Sequence, residues 1–142
     1  MTEGERRRLA VLKAIIAASI LSTAIHYTDN FVQVNRFQGP GGSSDPTFIR
    51  VAIVLAWPLL TWIGLTGYRR YREHRYSEAY VSLAVYSITG ISTFAHFLYG
   101  SPDLAPYFYA TLFTDGITGL CVLVFVVWSA ITVSPSRPRA GS

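Results

Sequence analysis

Four apolar stretches run along this chain, at about 9–27, 49–68, 79–99 and 106–133, separated by polar or glycine-rich segments. Each meets the ~20 residues that a helix needs to cross ~30 Å of hydrocarbon, give or take a turn. Ten-residue segments of alternating polarity are lacking, which excludes a β-barrel. The pattern predicts an all-α fold, an integral membrane four-helix bundle of one domain (9–133) behind a basic N-terminus (1–8).

The polar residues inside these stretches recur at helical spacing. Ser19, Ser22, Thr23 and His26, continued by Asp29 and Asn30, fall on one face of the first. Ser82, Tyr86, Thr89, Ser92, Thr93 and His96 do so in the third, and Thr111, Asp115, Thr118 and Gly119 in the fourth. The second offers Thr61, Gly64 and Thr66. Spacings of i, i+3, i+4 and i+7 stack residues on one face. Small and hydroxyl residues let membrane helices approach and hydrogen-bond. Stretches one, three and four are therefore expected to pack polar face to polar face.

Three of these residues stand out chemically. An ionisable group within a bilayer costs at least ~2.5–3.5 kcal/mol, so each is a candidate functional residue. His26 and His96 lie about one turn inside one border of their stretches. Asp115 reaches the same level if the fourth stretch ends near Thr132. The expected site is a cluster of His26, His96 and Asp115, joined by an Asp–His hydrogen bond, with Asp29 and Asn30 at its rim.

Charge sets the orientation. Only 14% of the residues are charged, too few to cover a soluble domain, and the net charge is +4. The positive charges gather at Arg6–Arg8, in the Arg69–Arg75 segment and at Arg137 and Arg139. The 28–48 segment holds just Arg36, with Arg50 two residues beyond it, and 100–105 has no Lys or Arg. The positive-inside rule then places both termini in the cytoplasm of a multi-pass cell-membrane protein, with the long 28–48 loop outside. Basic residues at span ends argue for a lipid bilayer as partner and against nucleic acid. His74, among arginines, reads as a solvated residue.

The outer loop divides into a mixed part, Asp29 to Phe37, suited to a short interfacial helix, and a turn-forming part, Gly39 to Pro46. Pro58 should kink the second helix and open space beside it. Tyr68, Tyr71, Tyr76, Tyr99, Tyr107 and Tyr109 fall where interfacial aromatic anchors are expected. Cys121, alone, excludes an internal disulfide and a C-x-x-C redox pair. Residues 134–142 read as a disordered cytoplasmic tail.

Several chemistries suit a His/Asp cluster. His26, His96 and Asp115 are a legitimate ligand set for a transition metal. The two histidines suit bis-His haem b, and a carboxylate–imidazole pair suits acid–base work on a lipid. None of the local ligand spacings of H-E-x-x-H or C-x-x-C accompanies them. The first stretch has no Glu of the kind small four-span multidrug exporters use, and paired cysteines for quinone-linked disulfide formation are missing. The preferred expectation is a non-catalytic accessory or assembly subunit that joins other membrane protein subunits. The alternative is a metal- or haem-binding protein or a lipid-modifying enzyme.

Overall fold

In a computed structural model of the chain, which describes residues 1–36, 45–97 and 106–133, four α-helices form the fold: α1 (Glu3–Val32), α2 (Pro46–Arg72), α3 (Tyr76–Ile91) and α4 (Pro106–Thr132). Short 3₁₀ segments follow α1 (Val34–Arg36) and α3 (Ser92–Phe97), and no strand occurs among the described residues. The helices α1, α2 and α4 are each long and apolar enough to cross a membrane. Residues 37–44, 98–105 and the 134–142 tail, with most of the expected turn-forming loop, lie outside the described residues.

The helix borders depart from the apolar borders because capping chemistry overrides composition. Thr2 and Glu5 form a capping box: Glu5 N–H donates to Thr2 Oγ1 (3.2 Å) and Thr2 N–H to Glu5 Oε2 (2.6 Å). These bonds satisfy two otherwise unpaired donors, so Arg6, Arg7 and Arg8 are helical rather than a separate tail. At its other end α1 runs on through Thr28–Val32, closing where the Gln33 N–H bonds to Asp29 O. Asp29 and Asn30 are thus on the site helix itself, where a loop was expected. Helix α2 opens at Asp45, whose side chain accepts from Thr47 N–H (2.9 Å), with Pro46 at the first position. Proline is preorganised for that position. The long loop accordingly shrinks from both sides.

The third apolar stretch is not one α-helix. Hydroxyls of Ser87, Thr89, Ser92 and Thr93 donate to carbonyls three residues back, at 2.6–2.7 Å. Such local bonds compete with the regular ladder, and here the α-helix gives way to 3₁₀ geometry at Ser92. The α portion covers about 24 Å at ~1.5 Å per residue. Six further residues at ~2.0 Å add about 12 Å if collinear.

One end of the bundle gathers the start of α1, the α2–α3 turn and the end of α4. The Arg8 guanidinium lies 5.6 Å over the Trp128 ring. Tyr71 and Tyr80 hydroxyls both meet Ser129 Oγ, at 2.7 and 3.1 Å. Tyr71, expected as an interfacial anchor, is instead buried in the core with Phe125 edge-on to it. His74 turns the chain at φ 61° and hydrogen-bonds Tyr76 Oη (2.8 Å), exposed as expected. We call this the basic end.

Glycines set the spacing between helices. At Gly119 a Cβ would stand 2.9 Å from Gly90 Cα, Ile91 N and Ser87 O, all backbone, so α3 and α4 touch main chain to main chain. At Gly64 and Gly67 it would meet the Tyr86 ring and the Leu83 side chain, which seats α2 on α3. All the buried residues of α2, Gly64, Gly67 and Tyr71, lie in its half toward the basic end. The other half, with Pro58 inside an unbroken helix, stands away from the core.

Candidate functional site

The α1 stripe read from the sequence faces inward: Ser19, Ser22, Thr23 and His26 are all buried. Opposite it, α4 presents Asp115, 1% exposed. Thr23 Oγ1 donates to Asp115 Oδ1 at 2.6 Å, and Ser22 Oγ to Thr114 Oγ1 at 3.1 Å. These two bonds tie α1 to α4 at one level. Such a pairing follows from helical geometry, because adjacent residues on each helix flank the contact line. The hydrogen bond described for Asp115 thus comes from the Thr23 hydroxyl.

His26 is 2% exposed and engages Asn30, Nε2 to Nδ2 3.0 Å, one turn further along α1. Its ring also lies 5.9 Å from that of Tyr27. Which ring nitrogen carries the proton is set by such partners, so the Asn30 amide fixes the ring's orientation and couples its tautomer to the end of α1. The backbone of His96 lies in the 3₁₀ segment after α3. Its side chain is outside the described residues, so the expected meeting of His26, His96 and Asp115 is not described. Among the described residues no three His, Cys, Asp or Glu side chains come together as a metal-binding group.

The third wall is α3. Tyr86 is 2% exposed, with Ser19 and Thr23 among its polar neighbours, yet its hydroxyl makes no hydrogen bond of good geometry among the described residues. Thr93, buried on the 3₁₀ segment, donates to Gly90 O (2.6 Å) and approaches Leu112 O of α4 (3.3 Å). Ser92, included in the sequence stripe, is exposed.

Toward the end opposite the basic one, the polar column continues along α1. Asp29 Oδ2, Asn30 Oδ1 and Gln33 Oε1 are shielded from solvent without a hydrogen-bond partner among the described residues. Gln33 Nε2 donates to Tyr107 Oη (2.9 Å), joining the end of α1 to the start of α4. Unpaired buried acceptors are rare and call for a donor such as water or a ligand group. Sequence reasoning missed Gln33, though it follows Asn30 at i+3 and Asp29 at i+4 and the stripe predicts it. It also missed Thr114 and Ser87, which a period count from Asp115 or Ser82 does not single out.

Clefts lie on the outside of this centre. One, of about 390 Å³, separates α1 from the far half of α2 and is bounded by Tyr27, Phe31, Trp57 and Pro58, the last as the sequence suggested for a pocket. Another, of about 460 Å³, lies between α1 and α4 and is lined by apolar side chains including Cys121. No family model, curated protein or solved structure matches the chain.

Proposed function

We propose that this chain is a multi-pass membrane protein that crosses the bilayer four times, with both termini on the cytoplasmic side, and acts as a non-catalytic accessory or assembly subunit of a larger membrane complex. The 3₁₀ extension gives the third crossing the length that α3 alone lacks. Orientation rests on the arginines of the basic end.

The observation that carries the accessory role is the pairing of Thr23 with Asp115 and of Ser22 with Thr114. These polar groups satisfy one another across the α1–α4 contact. Their chemistry is thereby committed to helix register, since sliding either helix by one turn would strand both pairs in hydrocarbon. The apolar surface left over is large: only 6% of the apolar window of α2 is buried in the chain itself. Lipid or a neighbouring subunit covers that face.

A second reading draws on the unpaired Tyr86 hydroxyl and the unpaired acceptors of Asp29 and Asn30. These suit a small polar ligand or cofactor beside His26, His96 and Asp115. One sample separates the readings: protein isolated from native membranes in mild detergent, analysed by mass spectrometry, elemental analysis and absorption. The accessory reading expects a stoichiometric second subunit and no change in metal content on replacing both histidines by Gln. A stoichiometric metal or a Soret band, lost in that double variant, would replace it with the cofactor reading.

A further inference from the structure

The groove between the end of α1 and the far half of α2 bears on what covers this surface, an inference that rests on the membrane reading above. Two adjoining clefts, of about 390 and 200 Å³, share Phe31 and Val54. Tyr27, Trp57 and Pro58 also line the larger and Arg50 borders the smaller. The Arg50 guanidinium lies 5.8 Å over the Phe31 ring, and its Nε approaches Phe31 O at 3.4 Å. Among the described residues no carboxylate pairs with it.

Depth gives this cation its meaning. The run from Val51 to Tyr68 is uncharged and separates Arg50 from Arg69. At ~1.5 Å per residue the two arginines are about 28 Å apart along α2, close to the ~30 Å hydrocarbon thickness. Arg50 therefore falls at the phosphate level of the leaflet opposite the basic end. Pro58 lies about 12 Å deeper. The groove is thus cationic at its mouth and apolar below, the complement of a phosphate carrying an acyl chain. A zwitterionic headgroup brings its own cation to the phosphate, whereas an anionic one leaves it for the protein to pair. Arginine suits phosphate because its planar donors engage two oxygens at once.

We propose that the α1–α2 groove holds one anionic glycerophospholipid, its phosphate on Arg50 and one acyl chain against Val54, Trp57 and Pro58. The full chain is placed in nanodiscs of equal phosphatidylglycerol and phosphatidylcholine, and the lipids it retains on release into the gas phase are counted by native mass spectrometry. One phosphatidylglycerol per chain is expected, in excess over phosphatidylcholine. Arg50→Gln should reduce that excess roughly tenfold, the scale of one charge-assisted hydrogen bond. Val54→Trp fills the groove while keeping the cation, and should lower retention of both lipids. Arg69→Gln, at the basic end, should change nothing. Equal retention of the two lipids by the unmodified chain, a silent Arg50→Gln or Val54→Trp, or an equal loss in Arg69→Gln would overturn the proposal. A chain that fails to enter the nanodisc would instead overturn the membrane reading on which it stands.

Discussion

The two ends of the bundle hold their helices together by different means. At the basic end, aromatic rings and glycines close the gaps: Tyr71 packs against Phe125 and Tyr76, and Gly64 and Gly67 bring α2 onto Tyr86 and Leu83. Toward the other end, α2 contributes no buried residue, and α1, α3 and α4 are joined around Thr23, Asp115, His26 and Tyr86. Connection length explains part of the difference. Helices α2 and α3 are joined by the short turn through His74, which keeps them adjacent at one end. Their far ends are free to diverge. The comparison teaches that one helical bundle can be closed by ring packing, glycine contacts and the tyrosine bonds to Ser129 at one end and by a hydroxyl–carboxylate pair at the other, leaving a groove beside the far half of α2.

The largest expected effect tests the contact both halves depend on. Gly119→Ala places a methyl 2.9 Å from three backbone atoms of α3 that cannot rotate away. We expect a loss of about 1–3 kcal/mol or more, the range for overpacking, measured by reversible unfolding in mixed micelles. Gly67→Ala should cost less, because its methyl meets the Leu83 side chain, which has other rotamers. Equal costs would show that α3 and α4 are not in main-chain contact.

Next come two tyrosines that differ only in whether the hydroxyl is used. Tyr71→Phe removes a buried 2.7 Å bond to Ser129 and should cost about 1 kcal/mol. Tyr86→Phe removes a buried hydroxyl that makes no such bond, so it should be neutral or stabilising. A reversal of that order would mean that Tyr86 has a bound water or ligand on which the site depends.

The smallest effect is electrostatic and confined to the basic end. Arg75 donates two hydrogen bonds to Glu78, at 2.9 and 2.5 Å, and these hold the Glu78 carboxyl below its usual range. A carboxyl whose folded pKa is depressed stabilises the fold above its unfolded value and loses that contribution as pH falls through the folded one. Amide exchange at the start of α3 should therefore quicken as pH drops below the ordinary carboxylate range, after correction for intrinsic rates, and Glu78→Gln should abolish the dependence. The pair is exposed, so the effect is modest.

Much of the helical plan was legible in the sequence, because polar residues turned inward on apolar helices leave a periodic trace. The stripe Ser19–Ser22–Thr23–His26 and the inward face of Asp115 follow from a 3.6-residue period. The helix borders were less legible: Thr2 and Asp45 start helices through capping bonds outside the apolar runs. The break at Ser92 comes from hydroxyl back-bonding in a stretch whose hydropathy is continuous. Pairings were least legible. Hydropathy marks Asp115 as anomalous, but choosing Thr23 as its donor requires the rotation and height of α1 against α4. The burial of α2 in one half alone depends on where Gly64 and Gly67 find Tyr86 and Leu83, again a tertiary fact.

A double-mutant cycle on Thr23 and Asp115, read as unfolding free energy, tests most directly whether this pair clamps α1 to α4. Thr23→Val leaves the buried carboxyl without its donor, and a loss of about 1–3 kcal/mol is expected. Asp115→Leu removes the acceptor. Combined, the two apolar side chains of similar shape should recover part of the loss, making the double variant more stable than Thr23→Val alone, with a coupling above about 0.5 kcal/mol. Strictly additive losses would contradict the account, since they would mean that the 2.6 Å contact contributes nothing to holding the helices in register.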